Sequence, residues 1–501
     1  MTLNVKQPSL LDALIPLVML IMLLGLSVYL YGSDSSYGPN QIALFVAAGV
    51  ALIIGLKNGH QWSALEHAMV HGISLSLGAI LILFAVGALI GTWLLSGTVP
   101  SLIYFGLQIL SPSWFYAAAC ILCAVVALSI GSSWTTAATI GVALIGVAMG
   151  LGLSPVVTAG AIISGAYFGD KISPLSDTTN LAPAMAGAEL FEHIRHMTWT
   201  TVPSLLLAIL IFALMGFNHS GEADAEKILQ LSAELEKQFD IHWYHLLPML
   251  VLMTMAVKKV PAFPTVSIGA LLGGVWAVIF QPELLARMTD QTLPAFLGTL
   301  KVVWTTLHSG FVIETGNAEL DKLLSGGGMA KMMNTVWLVM SAMVFGSVLE
   351  HTGLLKRFVQ IILARAHSTG SLITSTIVTC IATNILTADQ YMAIVMPGRM
   401  YKEEYERRGL APVNLSRTLE DGGTITSPLI PWNTCGAYMH GVLNINPLDY
   451  AFYAFFNLIN PVLAIIYAYC GIKILKLTPP PAVFNPLTPV AEHLPPTALK
   501  S

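Results

Sequence analysis

"GDKISPLSDTTNL", Gly169 to Leu181, follows a stretch, Thr135 to Gly169, without a single Asp, Glu, Lys or Arg. It then delivers two aspartates, a lysine, a proline and four hydroxyls within thirteen residues. The chain around it is 55% hydrophobic and only 10% charged, with mean hydropathy +0.73. Soluble domains carry about 25% charged residues. The composition therefore describes a polytopic membrane protein, and this segment puts oxygen atoms where a bilayer-spanning chain has few.

The apolar runs are long enough for helices, which need about 20 residues to cross the hydrocarbon. They lack the short alternating pattern of a barrel. The expected fold is all-α and polytopic, with about eleven to thirteen transmembrane segments. The runs 156–168 and 99–110 are too short or too interrupted to cross alone and read as re-entrant pieces. The first run, Leu10 to Tyr31, is too long for a signal-peptide core and reads as a span. Net charge is −4, and no basic tail or patch suggests nucleic acid. Five cysteines, including Cys120 and Cys123, sit in or beside apolar runs and read as packing residues.

Near the middle, "GEADAEKILQLSAELEKQFD" (Gly221 to Asp240) carries a helical stripe of Ile228, Leu231, Leu235 and Phe239. It reads as an amphipathic surface linker. On either side the sequence repeats at nearly constant offset. Glu66 and Asp321, Gly72 and Gly327, and Gly91 and Gly346 are each 255 residues apart. "SPL" at Ser173 recurs at Ser427, and "L-x-P-V" at Leu153 recurs at Leu410. This suggests a first transmembrane repeat over 1–217, a linker over 218–242, a second repeat with an extra leading span over 243–478, and a polar Pro-rich tail over 479–501. The loop Met149 to Pro155 is uncharged, whereas its counterpart Gly398 to Pro412 carries Arg399, Lys402, Arg407 and Arg408. Basic loops stay cytoplasmic, so the halves are expected to be inverted. Leu354 to His367 is also basic, which requires 371–398 to form a hairpin or not to cross at all.

Four clusters hold polar groups at membrane depth, where they are costly and functional by default. "GSSWTTAAT" (Gly131 to Thr139) breaks a helix at Gly131 and offers Ser133 and Thr135, or else forms a small-residue packing face. The opening stretch offers Asp170, Ser173, Asp177, Thr178 and Thr179, with Pro174 stopping any helix. There Asp170 has the alternative of pairing with Lys171, and Ser173 or Ser176 of capping a helix. "TNILTADQY" (Thr383 to Tyr391) offers Asn384 and Asp389. "SRTLEDGGTITSPLIPWNTCG" (Ser416 to Gly436) offers Glu420, Asp421 and Asn433, although Arg417, Glu420 and Asp421 have the spacing of an exposed helical ion pair. Two broken, oxygen-rich segments in corresponding halves point to a secondary transporter. Oxygen-only ligation suits a hard cation. No Cys/His set has zinc spacing. His67 and His71 lie at i, i+4 but read as interfacial. No hydrolase, metalloprotease or P-loop signature supports an enzyme or an ATP-driven pump.

Together, "GTWLLSGTVP", "GSSWTTAATIG", "AGAIISGAYFGDKISPLSDTTNL", "GGGMAKMM", "LEHTG" and "SPLIPWNTCGAY" resemble the NhaC family of sodium/proton antiporters, from about Leu10 to Lys476. The resemblance implies inverted repeats with broken helices, residence in a bacterial cytoplasmic membrane, and Na⁺ and H⁺ as substrates without a further cofactor. It points to Ser133, Thr135, Asp170, Ser173, Asp177, Thr178, Thr179, Asn384, Asp389, Glu420, Asp421 and Asn433, with Na⁺ at Asp177, Asp170 and Asp389. Some family members look like Na⁺- or H⁺-coupled exchangers of organic anions or amino acids, which is the alternative. The lipid bilayer is the one partner the sequence implies. A homo-oligomer is left open.

Overall fold

The computed structural model describes residues 6–218, 225–290, 292–364 and 366–477. The start of the polar insert, Gly221 to Asp224, and the Pro-rich tail 479–501 lie outside the described residues. Everything else is helix and short connections, with two isolated β-bridges, Phe311–Gly326 and Leu410–Lys476, among the described residues.

The first part runs through α1 (Leu10–Tyr31), α2 (Pro39–Lys57), α3 (Trp62–Leu95), α4 (Thr98–Ile109) and α5 (Phe115–Ile130). After a break come α6 (Ser133–Thr136), a π-turn (Ala137–Gly141) and α7 (Val142–Gly150). Next in the chain are α8 (Pro155–Ile172), α9 (Asp177–Ala186) and α10 (Leu190–Asn218). The linker forms α11 (Ala225–Gln238), and its stripe is used: Leu235 and Phe239 are buried in the main core. Beyond it lie α12 (Leu247–Val257), α13 (Ala262–Phe280), α14 (Pro282–Met288), α15 (Ala295–Ser309) and α16 (Ala318–Leu324). The remainder is α17 (Met333–His351), α18 (Leu354–Ala364), α19 (Thr369–Thr387), α20 (Gln390–Arg407) and α21 (Pro412–Leu419), which runs into a π-turn at Glu420–Thr424. The chain closes with α22 (Thr434–Leu443), α23 (Pro447–Tyr450) and α24 (Phe455–Cys470).

Among the described residues, eight helices are long and apolar enough to cross a membrane, or nine if 447–453 and 455–470, bent by 58°, are one span. Three shorter apolar helices, Thr98–Ile109, Phe115–Ile130 and Trp243–Val257, supply further apolar segments. Large apolar side chains such as Leu11, Ile53, Leu271 and Trp304 face outward. This is an integral membrane protein.

Inside, small residues let backbones touch. α8 carries Gly165 and Gly169 against α5, where an added Cβ would lie 2.0 Å from the Cys120 carbonyl oxygen and 2.4 Å from that of Ala124. This is the small-xxx-small approach that drives helix association in lipid. Fourteen of the eighteen residues of α8 are buried. The helix runs past the apolar 156–168 stretch through Asp170 and Lys171, because both find partners inside the protein.

The two breaks have the same construction. After α5, Gly131 turns left-handed (φ 77°), and Ser132 caps α6 by accepting from the Thr135 N–H at 3.2 Å. After α19, Ala388 turns left-handed (φ 56°), and Asp389 caps α20 by accepting from the Met392 N–H at 2.8 Å. Residues 371–398 thus fold as a hairpin, as the two flanking basic segments require. Arg408 on one side of it donates to the Ala366 and Ser368 carbonyls on the other. The same end of the molecule holds Lys6 against Asn58, Lys57 paired with Asp12, and Lys402 beside Gly187.

Candidate functional site

A cavity of about 830 Å³ opens between the two breaks. Its walls include Ser133 and Thr135 from α6, Asp170 from α8, Asp177 and Thr178 from α9, and Asp389 at the head of α20. Six of the residues singled out in the sequence therefore share one space, and three of them are carboxylates from three different helices.

Each is positioned by a local rule. Pro174 holds Ser173 extended (ψ 127°), which ends α8 and turns the chain into α9. Asp170, buried, accepts from the Ser133 N–H at 3.0 Å and the Ser133 hydroxyl at 2.6 Å. A helix N-terminus carries unsatisfied N–H groups and partial positive charge, so the start of α6 is a natural seat for that carboxylate. Asp389 sits on the start of α20 in the same way. Asp177 is the first residue of α9, exposed to the cavity and within electrostatic reach of Asp170. The cavity thus concentrates negative charge over helix starts, with hydroxyl oxygens beside it.

Four other sequence candidates hold the breaks rather than line the space. The Ser173 hydroxyl donates to the Leu128 carbonyl at 2.9 Å, closing the end of α5. Thr179 donates to the Lys171 carbonyl at 2.9 Å. Asn433 donates to the Asn384 backbone and side-chain oxygens at 3.2 and 3.0 Å, and Asn384 donates to the Gly423 carbonyl at 2.6 Å. With Trp432 Nε1 on the Ile385 carbonyl and the Thr434 N–H on that of Ala388, the broken segment 430–434 caps the end of α19.

The remaining pair corrects the sequence reading. Arg417, Glu420 and Asp421 are not an exposed ion pair: all three are fully buried. Nor does Asp170 pair with Lys171. The Lys171 ammonium donates to Asp421 and, at 2.7 Å, to Asn460 Oδ1. Asp421 also accepts from Thr200 at 3.1 Å and has Arg417 Nε at 3.9 Å. Among the described residues neither Glu420 oxygen has a hydrogen-bond partner. A buried carboxylate is costly to hold, and the Lys171 ammonium is the cation within electrostatic reach of Glu420.

Sequence reasoning missed three contributors. Gln390 accepts from Ser427 and Cys435, each at 2.8 Å, at the cavity wall. Lys259, at the α12–α13 turn, reaches the rim. Trp134 and Tyr438 stack at 4.0 Å, with the Tyr438 hydroxyl on the Trp134 carbonyl, joining the two broken regions. The proline and glycine punctuation marked the breaks, but nothing local marked these long-range contacts.

Residues 165–472 match the Na⁺/H⁺ antiporter family. The chain is 37% identical to the Na⁺/H⁺ antiporter NhaC of Alkalihalophilus pseudofirmus, over 87% of this chain and 91% of that one. It is 36% identical to the malate-2H⁺/Na⁺-lactate antiporter of Bacillus subtilis, over 93% and 96%. It is 34% identical to the arginine/ornithine antiporter ArcD of Halobacterium salinarum, over 95% and 94%.

Proposed function

The chain belongs to the Na⁺/H⁺ antiporter family, and we propose on that premise that it exchanges Na⁺ for H⁺ at the cavity between its two breaks, in a bacterial cytoplasmic membrane. One observation carries the site: Asp170, Asp177 and Asp389, from three helices, line a single cavity with the oxygens of Ser133, Thr135 and Thr178. A hard monovalent cation takes carboxylate, hydroxyl and carbonyl oxygens. A proton on the same carboxylate removes its charge and weakens it as a ligand. Proton and Na⁺ therefore compete for one set of oxygens. If only loaded forms reorient, competition alone yields exchange. Glu420, Asp421 and Lys171 form a second charged layer behind the cavity that holds the broken segment while the cargo changes.

A dye assay in everted vesicles, acid inside, tests this. Na⁺ should alkalinise the lumen, and Asp177→Asn and Asp170→Asn should each abolish the response in protein that still reaches the membrane. Full exchange in both variants would overturn the site.

A second reading rests on size. About 830 Å³ falls in the range of organic-ligand pockets, roughly 300–1,000 Å³, and far exceeds one ion with its waters. With Lys259 at the rim, the space suits an organic acid or amino acid; one relative is named for malate–lactate exchange with H⁺ and Na⁺, and another for arginine–ornithine exchange. A response to Na⁺ that appears only with malate, lactate or arginine present selects this reading.

A further inference from the structure

Asp240, His242 and His245 follow one another as D-x-H-x-x-H, from the second residue after α11 into the 3-10 turn Trp243–Leu246 that opens α12. Their ligand atoms all lie within 4.8 Å of one another. Asp240 Oδ1 is 2.9 Å from His242 Nδ1, and Asp240 Oδ2 is 3.8 Å from His245 Nε2. The last distance is too long for a hydrogen bond. It is close to the separation of two ligands on one ion: atoms about 2.0–2.1 Å from zinc at a tetrahedral angle stand about 3.4 Å apart.

His245 supplies the independent observation. Its side chain is 0% exposed, and among the described residues neither ring nitrogen makes a hydrogen bond of good geometry, although the Ser96 backbone and Asp240 lie close to the ring. Leaving a buried polar group unmatched costs about 1–3 kcal/mol. The other two ligands are open to solvent, Asp240 at 44% and His242 at 53%, so an ion has a way in. The surroundings hold Asp240 in place. Tyr244 donates to its Oδ2 at 2.9 Å, and Gln281 grips its backbone on both sides, accepting from the N–H at 3.0 Å and donating to the carbonyl at 2.9 Å.

We propose that Asp240, His242 and His245 bind a divalent transition-metal ion of the zinc class at the end of the molecule opposite its basic face. Two imidazoles with one carboxylate select such ions over Ca²⁺ or Mg²⁺, and over the Na⁺ suited to the all-oxygen cavity. The helix α3 starts shortly after Lys57, at the basic end, and closes just before Gly97, which packs on Gln281 and Asp240, so the site lies at the far end, the exterior by the positive-inside rule. The ion ties the central linker to Gln281, the residue after α13, and so to the α12–α13 hairpin whose turn reaches the cavity rim. The inference goes beyond the exchange reaction and holds for either cargo.

The test uses the full-length protein, purified without a histidine tag, stripped of metal and titrated with Zn²⁺ against a chromophoric chelator. The expected result is one tight equivalent per chain and a higher melting temperature with Zn²⁺. His242→Ala and His245→Gln should each weaken binding by at least about tenfold. The partly exposed His242 is the deciding position, because His245→Gln also disturbs a buried ring. No saturable binding in the wild type, or undiminished affinity in both His242→Ala and Asp240→Asn, overturns the proposal and leaves any bound metal to other histidines such as His67 and His71.

Discussion

Asp170 and Lys171 are consecutive residues that serve different parts of the protein. The Asp170 carboxylate accepts two hydrogen bonds from Ser133 at the cavity wall, while the Lys171 ammonium reaches Asp421 and Asn460 in the closed network. Successive residues on an α-helix point about 100° apart. One helix, α8, therefore presents a carboxylate to the cavity and a cation to the layer behind it, and neither can turn without the other.

The Ser133 hydroxyl bond to Asp170 is expected to tune cation binding. A hydrogen bond to a charged group contributes about 1.5–3 kcal/mol. Ser133→Ala should shift the half-maximal Na⁺ concentration by roughly tenfold or more while leaving exchange measurable. Concentration–response curves in everted vesicles read this directly. An unchanged curve would mean that the hydroxyl only holds the backbone.

Losing either member of the buried pair should cost stability, and the two losses should not add. Asp421→Leu alone strips the buried Lys171 of its carboxylate and should destabilise the protein by about 3–5 kcal/mol, whereas Lys171→Met should cost less, because Thr200 and Arg417 stay beside Asp421. The double variant should lose less than the sum of the two, without full recovery, because the buried Arg417 also loses Asp421. Thermal unfolding in detergent across the four proteins gives the coupling. Additive losses would argue against the pair as a structural unit.

Asp389 combines a cap with a charge, and two variants separate them. Asp389→Asn keeps a good cap for α20, whereas Asp389→Ala loses about 1 kcal/mol of capping. Both should lack normal exchange if the charge binds the cation, yet only the Ala variant should melt lower. Normal transport in the Asn variant would reduce Asp389 to a structural cap.

Gly165 tests the contact between α5 and α8. A methyl group there meets the Cys120 carbonyl at 2.0 Å, with no flexible side chain to move aside. Overpacking of this kind costs about 1–3 kcal/mol. Gly165→Ala should lower the melting temperature and the yield of folded protein.

Much of this architecture is legible in the sequence because its breaks are written in residue types with local consequences. Gly131 and Pro174 end helices by backbone geometry, and Ser132 and Asp389 cap α6 and α20. Partners distant in the chain are not legible. Lys171 finds Asp421 across 250 residues, and no local pattern separates that buried cation from a surface one. The Arg417, Glu420 and Asp421 spacing suits a solvent-facing helix equally well, and only packing on all sides decides otherwise. The D-x-H-x-x-H run straddles the linker boundary, where polar residues read as solvated turn, so its spacing carries no signal without the fold.

The cap on α19 bears on how the protein is made. The carbonyls of Asn384 and Ile385 receive their donors from Asn433 and Trp432, 49 and 47 residues downstream. At roughly 5–20 residues per second, a ribosome needs about 2–10 s to supply them. Until then the end of α19 has bare carbonyls, each costing several kcal/mol in lipid. The hairpin therefore cannot settle in the bilayer when it first emerges. Its settling is expected to follow the arrival of the second broken segment, so that truncation before Trp432 should leave this hairpin unstable in the membrane.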